Sequence, residues 1–342
     1  MAAGDRVMEK YSRQTLFAPL GEEGQRQLMS SRAVIVGCGA LGSFHAAALA
    51  RAGVGELTLI DRDYVEESNL QRQWLYDEAD AREGIPKAVA AKRKLSETNS
   101  DILITAVVVD VDATNVEQLL DGADVILDGS DNFAVRYLVN EAAVKSETPW
   151  VYGAAVGSYG ITATILPGRT PCLACLLPEA PGGVQPTCDT AGILNVAASA
   201  IASFQVADAL KILSGRIGAV EPRLLTLDVW QGRPQLITTG KPDPACRVCG
   251  QHQFDLLTAV STRPSAVLCG RNAIQVAGDS AVDLIQLAEQ LGDLGEVRAN
   301  EYALRFIAPP YEMTVFVDGR AIIKGTDDPA KARSLYSRFL GR

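Results

Sequence analysis

A glycine-rich turn followed by an acid marks a candidate phosphate-binding site. Gly37, Gly39 and Gly42 have the spacing G-x-G-x-x-G between a β-branched run and an Ala-rich stretch. Such glycines let the backbone approach phosphates at a helix N-terminus, where amide donors and partial positive charge favour anions. Asp61 ends the next apolar run, at the spacing of a carboxylate that holds ribose hydroxyls. The pattern predicts a nucleotide site, for NAD or ATP. Tight helix–strand packing is the alternative reason for the glycines.

Cations and a second acid follow along the chain. Asn69, Gln71 and Arg72 share one polar run, Lys87 begins a helix-like stretch, and Asp131 stands where a fourth strand meets its helix. Ligands of parallel sheets bind at such carboxyl ends of strands. Two cations and one acid suit a triphosphate with Mg²⁺, because the cations offset phosphate charge and a carboxylate holds the metal. An NAD site needs no such set, and ordinary surface charge is the alternative reading.

Two CxxC pairs are candidate metal ligands, namely Cys172 with Cys175 and Cys246 with Cys249. No export signal is visible, so the pairs favour a metal over disulfides. Four thiolates in tetrahedral geometry suit Zn²⁺, and a closed set of four leaves no position for substrate. We therefore expect a structural zinc, with a redox CxxC or an iron–sulfur cluster as alternatives.

Cys188 is a candidate nucleophile. It follows a Pro- and Gly-rich stretch, residues 177–187, which is typical of an exposed loop. Such a loop could bring a thiolate to an activated acyl group, and a nearby helix start could lower the thiol pKa. The alternative is a passive thiol.

Alternating strands and helices must position these groups. Short β-branched runs end at residues 36, 61 and 127, and helix-favouring stretches separate them. This alternation predicts an α/β protein with a Rossmann-like, doubly wound, mostly parallel sheet. Later strands at 160–166 and 223–229 predict an antiparallel extension.

The length of 342 residues predicts two domains. We assign residues 1–252 to a nucleotide-binding domain with the zinc site and residues 256–342 to a small α+β domain. The second has the pattern β-α-β-β-β-α, with a core expected at Phe306, Val315, Phe316, Val317, Ile322 and Ile323.

Composition limits the classes of partner. The net charge of −9 argues against nucleic acid, whose binding depends on cations that neutralise phosphates. The most apolar long stretch, residues 192–213, contains several polar residues and predicts a buried helix instead of a membrane span. With no secretory signal visible, we expect a cytoplasmic protein.

Six runs together closely resemble the adenylation domain of the ThiF/MoeB/HesA family, over about residues 8–252. In chain order they are Arg13-Gln14, Gly37-Cys38-Gly39-Ala40-Leu41-Gly42, Asp61-Arg62-Asp63, Ser68-Asn69-Leu70-Gln71-Arg72-Gln73, Pro86-Lys87 and Asp128-Gly129-Ser130-Asp131-Asn132. The most specific are the Asn-Leu-Gln-Arg-Gln run and the Asp-Asn pair after the fourth strand. One departure is Ala40, where relatives often have another glycine.

The resemblance implies ATP and Mg²⁺ as ligands. By position, Asp61 would hold the ribose, Asn69, Arg72 and Lys87 the phosphates, and Asp131 the Mg²⁺. The same nucleotide site would include the other motif residues, Gly37, Gly39, Ala40, Gly42, Asp63, Gln71 and Asn132.

The resemblance also implies partners. Arg13 matches an arginine that family members insert into the ATP site of the other subunit, which implies a homodimer. The family's substrate is a ubiquitin-like sulfur-carrier protein of the ThiS or MoaD kind, ending in Gly-Gly, with a sulfurtransferase or a cysteine desulfurase as a further partner. Zinc on the two CxxC pairs, and in some members a covalent link at the position of Cys188, belong to the same pattern.

The expected activity is ATP-dependent adenylation of the carrier's C-terminal carboxylate, with release of pyrophosphate, in preparation for a thiocarboxylate. This step needs positioning and electrostatics and no protein nucleophile. The alternatives are an NAD-dependent oxidoreductase, which leaves the cations unexplained, and a non-catalytic ATP-binding scaffold. The pathway, thiamine, molybdopterin or tRNA thiolation, stays open, as do a covalent intermediate and the role of residues 256–342, a carrier-docking surface or a dimer-stabilising appendage.

Overall fold

The structure, a computed structural model, describes residues 8–178, 188–259, 265–268, 273–278 and 280–341. The side chains of residues 188, 189 and 265–268 lie outside this description. The chain divides into two compact units. The first comprises residues 1–78 and 87–261, and the second comprises residues 79–86 and 262–342. The short segment 79–86 therefore groups with the second unit, although it lies within the first in sequence.

One eight-stranded sheet forms the centre of the first unit. Its strands are β1 (Arg32–Val36), β2 (Glu56–Ile60), β3 (Leu103–Val107), β4 (Val125–Asp128), β5 (Trp150–Val156), β6 (Tyr159–Ile165), β7 (Arg223–Asp228) and β8 (Arg233–Thr238). Their order is β3-β2-β1-β4-β5-β6-β7-β8. Strands β1 to β5 pair in parallel, and β6 to β8 continue the sheet antiparallel. This confirms the predicted mostly parallel sheet with an antiparallel extension.

Helices alternate with these strands along the chain. They are α1 (Ser12–Thr15), α2 (Gly21–Ser30), α3 (Ala40–Ala52), α4 (Glu78–Glu83), α5 (Lys87–Thr98), α6 (Val116–Leu120), α7 (Phe133–Lys145), α8 (Leu173–Leu176), α9 (Cys188–Ala191), α10 (Asn195–Leu213) and α11 (Asp255–Thr258). All but α4 belong to the first unit, since residues 79–83 of α4 group with the second. Because helices flank the central strands, Val34, Val36 and Ile126 are fully or almost fully buried. The buried helix predicted within residues 192–213 is α10, which packs on α3, β5 and β6.

Helix α10 is also the one helix among the described residues that is long and apolar enough to cross a membrane by length and composition. Half of the residues in its most apolar stretch are buried in the fold. Buried core helices pass the same test, so the finding is weak.

An antiparallel sheet forms the second unit. Its strands are β9 (Ser265–Leu268), β10 (Ala273–Val276), β11 (Glu296–Ala299), β12 (Ala303–Ala308), β13 (Tyr311–Phe316) and β14 (Ala321–Lys324), in the order β11-β12-β13-β14-β10-β9. Helices α12 (Leu284–Leu291) and α13 (Pro329–Leu340) supply Leu287 and Leu335 to its core. Among the residues of the second unit that the structure describes, two strands precede α12 and four follow it, one more on each side than predicted. Five of the six expected core residues are buried, but Val317 is 44% exposed because it follows the last residue of β13 in a turn.

Candidate functional site

The glycine turn lies between β1 and α3 and is packed backbone against backbone. Gly37 has a φ of +88°, and a Cβ there would lie 2.7 Å from the carbonyl of Gly129. A Cβ on Gly42 would lie 1.8 Å from the Gly37 oxygen. Both positions therefore require glycine for packing. Around Gly39, in contrast, a Cβ would meet nothing closer than 3.9 Å, so packing does not explain this glycine. Its backbone faces space at the start of α3, which suits close approach of a phosphate.

Asp61 follows β2 and is held by the turn itself. Its two carboxylate oxygens accept hydrogen bonds from the amide of Cys38, at 2.6 Å, and the amide of Asp63, at 2.7 Å. The side chain is almost buried. Burial raises the pKa of Asp61, and the positive charge of Lys87 opposes that rise. The structure thus brings this acid directly against the glycine turn, where it could accept ribose hydroxyls.

Lys87 begins α5 and points back to the same place. Its ammonium lies 3.3 Å from the carboxylate of Asp63, and its backbone amide donates to the Asp63 carbonyl at 2.9 Å. The neighbouring Arg62 donates to Asp110 at 2.9 Å. Burial lowers the pKa of Arg62, but the carboxylates of Asp110, Asp63 and Asp131 outweigh burial and raise it. Asp131 therefore belongs to the same cluster of charges as the residues after β2.

The polar run after β2 lies against the turn. Tyr76 donates from its hydroxyl to the carbonyl of Cys38 at 2.8 Å and ties this segment to the turn. Asn69 is buried and accepts from the amide of Glu66 at 3.1 Å. Arg72 is half-buried and donates to the carbonyl of Ser68 at 2.7 Å, whereas Gln71 is exposed. The segment thus holds Asn69 in the protein interior and leaves Gln71 at the surface.

Asp131 and Asn132 stand between β4 and α7. The Asp131 side chain is exposed, and Asn132 caps α7 by accepting from the amide of Ala134 at 2.9 Å. Because β1, β2 and β4 are parallel neighbours, their carboxyl ends form one edge of the sheet. The glycine turn, Asp61 and Asp131 all follow carboxyl ends at this edge.

A buried polar network that the sequence did not predict lies behind this edge. Arg136 pairs with Asp128 at 3.1 Å, and Gln205 donates to the carbonyl of Asp128 at 3.0 Å and of Val151 at 3.1 Å. His45 contacts the Gln205 oxygen at 2.9 Å, and burial lowers the pKa of His45 to about 4. The one sign of this network in the sequence is Asp128, an acid at the end of an apolar strand.

Arg13 does not lie with these residues. Its helix, α1, contacts the carboxyl end of α3, where Gln14 donates to the carbonyl of Ala52 at 2.9 Å. The glycine turn is at the opposite end of the same helix, which has 13 residues. At about 1.5 Å per residue, about 20 Å separates the two ends. The structure therefore leaves Arg13, which is exposed, away from the nucleotide site of its own chain.

Cys188 is the first residue of the short helix α9, and its side chain lies outside the described residues, as do residues 179–187 of the preceding stretch. The site geometry described above therefore does not include the thiol of Cys188.

The four paired cysteines come together in the first unit. Their sulfurs all lie within 4.8 Å of one another, with 3.7 Å between Cys172 and Cys246 and 3.3 Å between Cys175 and Cys249. A tetrahedral zinc with Zn–S bonds of about 2.3 Å requires sulfurs about 3.8 Å apart. The donor set therefore fits one such ion, and all four positions are protein thiols.

Comparison with known proteins identifies relatives that match most of the chain. The sulfur carrier protein ThiS adenylyltransferase of Bacillus subtilis is 48% identical over 336 residues, which cover 97% of this chain and 99% of that protein. The SAMP-activating enzyme E1 of Haloferax volcanii is 39% identical, over 72% of this chain and 91% of its own. The likeness to the Bacillus subtilis protein therefore extends into the second unit. The likeness to the Haloferax volcanii enzyme covers about the length of the first unit.

The fold has solved counterparts. The Escherichia coli protein MccB, in a crystal structure with ATP, is 25% identical with a TM-score of 0.61, over 70% of this chain and 74% of that one. The ThiF family matches residues 11–248, the region that contains the glycine turn and three of the four paired cysteines, and Cys249 is the next residue after it. Because this match covers more than half of the chain, the chain belongs to the ThiF family.

Proposed function

We propose that this protein uses ATP to adenylate the C-terminal carboxylate of a ubiquitin-like sulfur-carrier protein that ends in Gly-Gly. The observation that supports this most directly is the edge of the sheet, where Asp61 accepts from the glycine turn, Lys87 pairs with Asp63, and Asp131 follows the end of the adjacent strand β4. The chain belongs to the ThiF family, and the sulfur carrier protein ThiS adenylyltransferase of Bacillus subtilis matches both units at 48% identity. A ThiS-like carrier is therefore the favoured substrate over a MoaD-like one.

The site residues have distinct roles in this proposal. A carboxylate oxygen of the carrier attacks the α-phosphorus of ATP, the bond to the bridging oxygen breaks, and pyrophosphate leaves. Asp61 binds the ribose hydroxyls, and Arg72 and Lys87 offset the negative charge that develops on the phosphoryl oxygens. Asn69 donates to the phosphates, and Asp131 offers a carboxylate to Mg²⁺, which when bound shields phosphate charge.

The remaining nucleotide contacts come from the backbone and from neighbouring side chains. Gly39 and Ala40 offer amides at the start of α3, and Gly37 and Gly42 make the close packing of the turn possible. Asp63 keeps the ammonium of Lys87 in place. Gln71 and Asn132 flank the site on the two loops that carry Arg72 and Asp131.

The active form is a homodimer in this proposal, because Arg13 is too far from the glycine turn of its own chain. A second copy would bring its Arg13 to the phosphates and complete the site. Exposed Leu16 and Phe17, at 73% and 64%, lie three and four residues after Arg13 and would be covered by such an association.

The decisive measurement is carrier-dependent exchange of radioactive pyrophosphate into ATP. We expect exchange with a ThiS-like carrier and none with the same carrier lacking its last two glycines, because the reaction requires a free, extended carboxyl tail. Absence of exchange with every Gly-Gly carrier, together with tight NAD(H) binding, would instead favour an oxidoreductase on this fold. ATP binding without exchange would favour a scaffold.

Zinc in the four-cysteine cluster has a structural role in this proposal. It joins the segment after β6, with Cys172 and Cys175, to the segment before α11, with Cys246 and Cys249. Glu141 of α7 binds the same region by accepting from the amides of Leu256 and Leu257 at 2.9 and 3.2 Å.

Removal of this metal should lower stability. We expect Cys246→Ser to lose bound zinc, measured by mass spectrometry of the native protein, and to lower Tm by about 10 °C or more, because ligand binding contributes folding free energy. Arg247→Ala, an exposed side chain between two of the ligands, is the matched control and should keep both values. Equal Tm values for the two variants would argue against a structural metal.

Four further features are part of the proposal. The reaction takes place in the cytoplasm, where ATP is abundant. A sulfurtransferase or a cysteine desulfurase then supplies sulfur to the adenylated carrier. Cys188 either takes the carrier in a covalent link or stays passive, and mass spectrometry of Cys188→Ser and parent proteins with ATP and carrier would distinguish these outcomes. Residues 256–342 either dock the carrier or stabilise the dimer.

A further inference from the structure

The loop between β4 and α7 is fixed at the residue just before Asp131. Ser130 donates to one carboxylate oxygen of Asp128 twice, from its amide at 2.9 Å and from its hydroxyl at 2.6 Å. The Ser130 carbonyl accepts from Arg136 at 2.6 Å. Asn132, just after Asp131, is fixed as the cap of α7. Both neighbours of Asp131 are thus fixed, although the Asp131 side chain is exposed.

Arg136 is the residue that ties this loop to the sheet. Its guanidinium bonds the second carboxylate oxygen of Asp128 at 3.1 Å, and one of its terminal nitrogens reaches both Ser130 and the carbonyl of Gly153, at 3.2 Å. The ring centres of Phe133 and Tyr152 lie 5.1 and 5.6 Å from the guanidinium carbon. Arg136 is only 5% exposed, so these contacts are made without competition from water.

Only a planar group with several fixed donors can make this set of contacts. A lysine ammonium is a compact charge that could keep one partner, but it could not bond β4, the loop and β5 together. A buried ion pair gives little net stability over apolar residues of the same size, so stability alone does not require an arginine here.

We propose that Arg136 is a positioning residue, which fixes the direction in which Asp131 presents its carboxylate to the metal–nucleotide complex. The inference rests on the proposed role of Asp131 and extends it to a residue that touches neither ATP nor the metal. Arg136 acts through the Ser130 carbonyl, because a rotation of that peptide would turn the Asp131 side chain away from the edge of the sheet.

The test compares the magnesium dependence of nucleotide binding in folded variants. Calorimetric titration should show that Arg136→Lys binds metal-free ATP like the parent but needs about tenfold more Mg²⁺ for half-maximal enhancement of ATP binding. Ser130→Ala loosens the same loop by removing one hydroxyl bond, and it should shift the dependence in the same direction if Arg136→Lys does not fold. Arg305→Lys, which breaks a bidentate pair with Glu312 at 2.8 Å in the second unit, is the matched control.

A double-mutant cycle separates positioning from general destabilisation. In the Asp131→Ala background, Arg136→Lys should cause no further loss, because the group it positions is absent. An equal loss in both backgrounds, or an unchanged magnesium dependence in folded Arg136→Lys and Ser130→Ala, would overturn the inference. These readouts do not need the carrier protein, so they stay separate from the pyrophosphate exchange that tests the proposed function.

Discussion

Asp131→Ala and Arg72→Ala should each reduce pyrophosphate exchange by about a thousandfold while leaving the fold intact. Asp131 is exposed and Arg72 half-buried at the proposed nucleotide site, and neither contributes to the apolar core. Loss of one group that stabilises transition-state charge in a preorganised site costs about 10²- to 10³-fold in rate. We place both variants at the upper end, because a triphosphate concentrates several negative charges on few partners. Exchange rates at saturating ATP and carrier measure the loss.

Two variants control for general effects of charge removal. Arg51 donates to the carbonyl four residues before it, Ala47, just as Arg72 donates to Ser68, but Arg51 lies near the far end of α3. Asp121 is exposed at the opposite end of β4 from Asp131. Arg51→Ala and Asp121→Ala should retain parental exchange. Folded Asp131→Ala and Arg72→Ala proteins that turn over like their controls would remove the physical basis of the proposed adenylation.

The central sheet was predictable because its strands are buried on both faces. Residues 33–36, 57–60 and 125–127 form almost continuous apolar runs, broken only by Thr58, and such runs are typical of a parallel sheet covered by helices on both faces. The glycine turn was predictable for a similar reason, since a motif and its flanking strand and helix occur together. Local sequence was enough wherever one element and its immediate neighbour determine the structure.

Contacts between distant residues could not be predicted in this way. Nothing in the spacing of Asp128, Arg136 and Gln205 indicates that they share one buried network, because the fold and not the local pattern brings them together. Strand β8 was missed because all six of its residues are exposed, so it shows no core-facing alternation. The segment 79–86 groups with the second unit through contacts such as that of Asn300 with the Glu83 carbonyl, at 2.8 Å.

The site residues likewise include some that local sequence predicts and others that depend on contacts between distant parts of the protein. Asp61 and Asp63, which both follow β2, and Lys87, which begins α5, are joined by short contacts. Arg13 was assigned through family resemblance alone, to the nucleotide site of a second subunit, and the structure of one chain leaves it near the end of α3 opposite the glycine turn. An arginine at that place can serve the nucleotide only if a second chain presents it.

This geometry gives a quantitative expectation for mixed dimers. Arg13→Ala should lose about a hundredfold in exchange, and Asp131→Ala more, when each is assayed alone. Mixed in equal amounts after subunit exchange, they should recover about a quarter of parental activity. Half of the dimers are then mixed, and each of these contains one intact site, made by Asp131 of one chain and Arg13 of the other.

A second pair of variants shows whether the recovery comes from sharing between subunits. Arg72 and Asp131 belong to the same chain's half of the site, so Arg72→Ala mixed with Asp131→Ala should recover nothing, whereas Arg13→Ala mixed with Arg72→Ala should again reach about a quarter. Differently tagged chains report subunit exchange in every mixture. If tagged chains exchange but no mixture with Arg13→Ala gains activity, Arg13 does not act across the dimer. The charge that completes the site must then come from another residue.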